Sequence, residues 1–134
     1  MSGNETISEY EKICFSKPWS RQDIDGVLNG DGCVCVCDMG TGYAFGRTLY
    51  EDAELFRIAV LPEKRRTGAG SRILAEFIDK CAELGAEKVF LEVNANNAPA
   101  VGLYEKAGFS RISLRKNYYD DGDALIMQYT LRNA

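Results

Sequence analysis

The spacing Arg65-x-x-Gly68-x-Gly70 can hold an anion. Before it, Phe56, Ile58 and Val60 alternate with Arg57, Ala59 and Leu61, which is the period of a strand. Pro62 has no N–H to give to a ladder and ends that strand. After the glycines, Ile73, Leu74, Phe77, Ile78, Cys81 and Leu84 recur at helical spacing as far as Gly85, so a helix is predicted from about Gly70 to Leu84. The first N–H groups of such a helix have no partner inside it, and the helix dipole makes that end positive. Gly68 and Gly70 permit close approach to the backbone, and Arg65 and Arg66 add charge. A phosphate or pyrophosphate suits such a turn. Its glycines fit neither G-x-G-x-x-G nor a P-loop. For these residues alone, a solvated basic turn at a helix start is an equal alternative.

Two other residues could move protons. The chain has no histidine, so a general base must be a carboxylate, another side chain or water. In the run Lys88 to Asn94, Val89, Leu91 and Val93 share one face, and Phe90, Glu92 and Asn94 share the other. Partial burial there would raise the pKa of Glu92 and suit it to accept a proton near neutrality. An exposed strand face would make it an ordinary surface glutamate. Tyr104 lies about two turns past Asn97, in a helix opened by Asn96 or Asn97, with Pro99 in its first turn and Gly108 at its end. It is either a proton donor or a core aromatic. Gly102, within that helix, costs about 1 kcal/mol relative to alanine, which a packing contact or an approaching ligand would explain.

These blocks resemble the GNAT acyltransferases. Arg65-x-x-Gly68-x-Gly70 between a strand and a helix is similar to that family's coenzyme A pyrophosphate motif, Arg/Gln-x-x-Gly-x-Gly/Ala. The stretch Leu91-Glu92-Val93 … Asn97-x-x-Ala100-x-x-Leu103-Tyr104-x-x-x-Gly108-Phe109 looks like a second family segment. Phe15-x-x-Pro18-Trp19-Ser20 and Asn117-Tyr118-Tyr119 … Asp123-Ala124-x-x-Met127 resemble the RimI type, whose members acetylate the N-terminal alanine of a small-subunit ribosomal protein. The resemblance covers about residues 14 to 131 and is strongest from Leu55 to Phe109.

The resemblance implies acetyl-CoA as cosubstrate. Arg65, Arg66, Thr67, Gly68, Ala69, Gly70 and Ser71 would hold it mainly through backbone N–H groups, Ile58, Ala59 and Val60 would run beside the pantetheine arm, and Asn97 and Tyr104 would also touch it. A backbone N–H near Val60 is implied as the oxyanion donor. Glu92 is implied as the base, directly or through water, and Tyr104 as the acid that protonates the thiolate. Phe15, Trp19, Leu55, Phe56, Arg57, Tyr118 and Tyr119 become candidates for peptide contact. Trp19, the single tryptophan, can equally be a buried anchor between two helices. The implied reaction is direct acetyl transfer in a ternary complex to a protein N-terminal α-amine, with a ribosomal protein as partner. A GNAT acting on a small-molecule amine or a lysine is one alternative. A non-catalytic coenzyme A-binding module is another.

The elements that must position these residues can be read in outline. Ser8 to Phe15 is expected as a helix with Ile7, Tyr10, Ile13 and Cys14 inward, and Ser20 should cap a second over Arg21 to Leu28. Cys33–Asp38, Tyr43–Leu49 and the strand before Pro62 form an antiparallel meander. The strand–helix–strand unit ending at Asn94 makes its two strands parallel. Phe109–Arg115 and Ala124–Leu131 close the chain around the turn Asp120-Asp121-Gly122-Asp123. The expected fold is α/β (α+β): a mixed, mostly antiparallel sheet with flanking helices, whose central parallel pair splays to admit acetyl-CoA, in one domain over 1–134. Most members of the family begin with a further strand, and only a few residues precede the first helix here, so that strand is expected to be short or absent.

Composition narrows the setting. With 134 residues, 46% hydrophobic and 27% charged, the chain is that of a globular domain able to bury a core. No apolar run approaches the ~20 residues of a membrane span, and the polar start MSGNETISEY lacks a signal peptide's pattern. A cytoplasmic protein is expected. A net charge of −4 argues against direct nucleic-acid binding and suits a basic or amine-bearing acceptor. The five cysteines include Cys33, Cys35 and Cys37 on one strand face. Without histidine or zinc-type ligand spacing, no metal is expected.

Overall fold

The computed structural model describes residues 2–131. Helix α1 (Gly3–Cys14) starts before Ser8 because Ser2 caps it, its hydroxyl accepting from the Glu5 N–H at 3.2 Å. The apolar pattern missed that start: the inward positions of α1 include Thr6, Ser8 and Glu11, all buried. Ile13, expected inward, is instead exposed. In α2 (Arg21–Leu28), Ser20 is the cap, accepting from the Asp23 N–H at 3.1 Å. Three antiparallel strands follow: β1 (Cys33–Asp38), β2 (Gly42–Leu49) and β3 (Asp52–Val60). Helix α3 (Ala69–Glu83) leads to β4 (Lys88–Asn94), and α4 (Ala98–Ala107) to the hairpin of β5 (Ser110–Tyr119) and β6 (Gly122–Thr130). Among the described residues no strand precedes α1.

The six-stranded sheet has the order β1-β2-β3-β4-β6-β5, and only β3 and β4 run parallel. β5 extends beyond the expected Arg115, because Asn117 takes a left-handed φ of 55° and its N–H donates to Asp123 at 2.8 Å, closing a tight hairpin.

Each sheet face carries its own core. Helices α3 and α4 cover one, where Ile73, Leu74, Phe77 and Ile78 pack on Val34, Val36, Val89, Leu91 and Met127. Helices α1 and α2 cover part of the other, where Ile7 and Ile24 meet Tyr43, Phe45 and Ala59. Each such apolar side chain contributes roughly 1.5–3 kcal/mol on burial. β1 serves both faces: its valines point to α3 while Cys35 and Cys37 lie on the α1–α2 side. Among the described residues no helix is long and apolar enough to cross a membrane.

Two irregularities shape the centre of the sheet. Gly46 pairs with Leu55 but Phe45 pairs with Arg57, so Phe56 is an extra, bulged residue. Phe56 therefore packs on the α1–α2 side, whereas Ile58 and Val60 pack on the α3 side. The simple alternation expected for these three residues breaks at the bulge. The bulge also needs Gly46, where a Cβ would lie 1.9 Å from the Glu54 carbonyl oxygen. The second irregularity is the parallel pair, which is joined only from Asp52–Lys88 to Glu54–Phe90. Beyond Glu54 the strands part.

Candidate active site

The splay opens a cleft of about 960 Å³. One wall is β3 from Phe56 to Val60, and the other is β4 from Glu92 to Asn94. The N-terminal end of α3 closes one side with Arg65, Arg66, Gly68, Gly70 and Ser71. Helix α4 adds Asn97, Leu103 and Tyr104, while Cys14, Phe15 and Tyr119 complete the rim.

The loop before α3 is built to leave its N–H groups free. Pro62–Lys64 makes one 3-10 turn, which the Thr67 hydroxyl ties by donating to the Lys64 carbonyl at 2.6 Å. Arg66 and Gly68 take left-handed φ values of 62° and 84°, so the chain doubles back into α3. Among the described residues no side chain caps α3. From Arg66 to Ser71 the backbone N–H groups have no acceptor among the described residues, the first return bond being Arg72 N–H to the Gly68 carbonyl at 3.1 Å. Free donors, a positive helix end and basic side chains suit this end of the cleft to an anion. Arg65 also donates through Nε to the Val60 carbonyl at 2.9 Å, fixing the strand end to the loop. Thr67 and Ala69 do not line the cleft, and Ala69 is buried. Asn97 lines the cleft while capping α4, accepting from the Ala100 N–H at 3.3 Å.

The two proton-transfer candidates face the same cleft from different settings. Tyr104 is 8% exposed, with its ring edge-on to Phe109 at 5.9 Å. Burial pushes its pKa up to about 12, against a smaller downward pull from the Arg57 charge, so the phenol keeps its proton. Of the two settings open to Glu92, the structure has the exposed one. It lies on β4, on the face opposite the buried Val89, Leu91 and Val93, with the Arg115 guanidinium 3.8 Å away. It also lines a second concavity of about 540 Å³, floored by Phe90 and Ile126, and is the residue that the two share.

The peptide candidates divide. Phe15, Phe56, Arg57 and Tyr119 reach the cleft. Trp19 does not: it packs edge-on to Phe45 at 5.2 Å and stacks on Phe56 at 6.0 Å, as an anchor for the connection between α1 and α2. Tyr118 is exposed and edge-on to Tyr119 at 5.2 Å. Leu55 is buried on the α3 side. No close packing accounts for Gly102, because a Cβ there would meet nothing within 4 Å.

The periodicity gave no notice of Glu11. It is 0% exposed, and its carboxylate accepts from the Trp19 N–H at 2.8 Å, from Arg57 Nε at 3.1 Å and from the Tyr43 hydroxyl. The Tyr43 phenol is pushed far above its usual pKa by burial and by that carboxylate. A carboxylate one turn after Ile7 on an inward helical stripe needs a partner, and this is the signal that could have found it.

The acetyltransferase (GNAT) family model matches residues 4–109. A ribosomal protein bS18-alanine N-acetyltransferase of Escherichia coli (strain K12) is 42% identical over 89 residues, which are 63% of this chain and 60% of that relative. The chain thus spans less than two thirds of that protein's length in the match. The protein of the same name from Salmonella typhimurium (strain LT2) is 38% identical over 128 residues, covering 89% of this chain and 85% of the relative. The crystal structure of the Escherichia coli ribosomal-protein-S18-alanine N-acetyltransferase has a TM-score of 0.87 to this fold at 32% identity, covering 98% of this chain and 89% of that one. With a family match over most of its length and a solved relative that follows nearly all of its path, the chain belongs to the GNAT acetyltransferase family.

Proposed function

We propose that this protein transfers an acetyl group from acetyl-CoA to the N-terminal α-amine of a protein, and that the acceptor is the alanine terminus of a small-subunit ribosomal protein, in the cytoplasm. The observation that carries this reading is the row of unpartnered N–H groups from Arg66 to Ser71, which leads into the β3–β4 splay where Tyr104 and Glu92 face one opening. The similarity to bS18-alanine N-acetyltransferases supports the acceptor.

In this reading the free N–H groups and Arg66 hold the pyrophosphate, while the unpaired edge of Ile58–Val60 holds the pantetheine arm. Acetyl-CoA supplies an activated thioester. The acceptor amine reaches the acetyl carbon at the splay past the rim formed by Phe15, Arg57 and Tyr119, with Glu92 beside it. Glu92 takes the amine proton, directly or through water, as the C–N bond forms, and releases it to solvent afterwards. A backbone N–H near Val60 stabilises the developing oxyanion. As the C–S bond breaks, the Tyr104 phenol gives its proton to the departing thiolate and regains one from solvent. The products are an N-acetylated acceptor and free coenzyme A.

Thiol release with acetyl-CoA and short peptides tests the reading. Turnover is expected with a free alanine terminus and not with an N-terminally blocked copy carrying an internal lysine, nor with polyamines. Glu92→Gln should lower kcat by about a hundredfold while still binding acetyl-CoA. Turnover of the blocked lysine peptide or of polyamines would overturn the N-terminal acceptor. Coenzyme binding without turnover on any amine would make the fold a binding module.

A further inference from the structure

We propose that Glu11 is a positioning residue whose buried carboxylate clamps Arg57 and the α1–α2 connection into the acceptor-side wall of the cleft. It rests on the acyltransferase reading above. The donors to Glu11 come from three segments: Tyr43 from β2, Arg57 from β3, and the Trp19 N–H from the connection. Arg57 carries the clamp onward. Its guanidinium lies 3.6 Å over the Phe15 ring, and its Nη2 donates to the Lys17 carbonyl at 3.2 Å. Phe15 and Arg57 line the cleft, whereas Glu11 is 0% exposed and does not. Arg57 also follows the bulged Phe56, on which Trp19 stacks. One carboxylate therefore fixes the bulged strand against the connection, through other residues and without touching a substrate.

Stability alone does not call for this arrangement, since a buried ion pair is often replaceable by apolar residues at no loss, whereas removing one partner leaves a costly buried charge. The clamp makes no hydrogen bond to the Arg66–Ser71 loop among the described residues, so the pyrophosphate end of the cleft does not hang on it.

The test uses Glu11→Gln, Arg57→Met and the double variant, with peptide and acetyl-CoA KM measured separately. In Glu11→Gln the peptide KM should rise about tenfold or more, with the acetyl-CoA KM within about twofold of wild type. The double variant should regain thermal stability, because no unpaired cation remains, yet keep the raised peptide KM. Trp19 is the single tryptophan and reads the clamp without turnover: its quenching by acrylamide should increase in Glu11→Gln. A double variant that recovers peptide KM together with stability would overturn the proposal, as would both KM values rising in parallel or unchanged quenching in Glu11→Gln. Where Glu11→Gln does not fold, Tyr43→Phe removes one donor and replaces it in the same comparisons. A wild-type chain that acetylates no peptide would sink the acyltransferase reading instead, and the quenching result alone then decides whether the clamp exists.

Discussion

Tyr104 and Glu92 show how a residue's identity can be legible while its environment is not. Both stand in motif positions that the sequence displays. Their surroundings depend on which face of β4 is covered and how far the strands part, and neither is written in the neighbouring residues. Glu92 takes the exposed one of its two readings, with its carboxylate beside Arg115 in the cleft lining. The buried setting of Tyr104 suits it to the proposed acid role, because a phenol with a pKa pushed up to about 12 is fully protonated at neutral pH. Tyr104→Phe should therefore lower kcat about a hundredfold with little change in acetyl-CoA affinity. It should also change alkaline stability. The folded-state pKa lies above the ordinary value of 10.0, so burial of the neutral phenol contributes stability that is complete below about pH 10 and is lost as pH rises through about 12. Thermal melts across that window should fall less steeply for the variant than for wild type. An unchanged kcat would remove Tyr104 from the chemistry.

At the scale of elements, the unit from β3 through the basic turn to α3 was legible because each part has its own signal: a period of two, a proline stop, glycines, then a period of 3.6. The bulge at Phe56 was not, because register is a property of two strands, and only Gly46 on the partner hinted at it. Helix α1 was half legible, since its inward stripe carries the polar Thr6, Ser8 and Glu11, and Glu11 is held by partners distant in sequence. The two loop glycines also have separate reasons. Gly68 is required by its φ of 84°, whereas a Cβ on Gly70 would find its nearest neighbours at an ordinary 3.7 Å, so the free fold does not demand glycine there. The start of α3 can therefore be tested with opposing signs. Ser71 is exposed in the first turn, and Ser71→Asp places a carboxylate where the helix dipole favours it, by about 0.3–1 kcal/mol. The same charge would repel a pyrophosphate held by those N–H groups. Thermal stability should hold or rise while acetyl-CoA binding weakens at least about tenfold. Equal binding by the variant would place the pyrophosphate elsewhere.

The whole molecule explains why the sheet can stand open at its centre. The parted strands leave two unpaired edges facing each other, but each strand is held from its other side, β3 by β2 except at the bulged Phe56, and β4 by β6. Each half is backed by apolar packing on α3 and α4, and the β2–β3 half also by α1 and α2 on the other face. The parallel pair and mixed sheet were legible from the strand–helix–strand order; the extent of the splay was not, because it reflects how separate cores hold their strands. A slot supported in this way should accept a ligand without reshaping the sheet, and hydrogen exchange can show whether it does. Adding acetyl-CoA should slow exchange at Arg66–Ser71 and along Ile58–Val60, where β3 lacks a partner on the β4 side. Exchange in β1 and in the outer strand β5, both remote from the cleft lining apart from Tyr119, should stay as it was. Protection spread evenly over all six strands would mean that the coenzyme draws the sheet closed rather than filling a preformed gap. Absence of protection at Arg66–Ser71 would count against the loop as the anion site, whatever the rest of the sheet did.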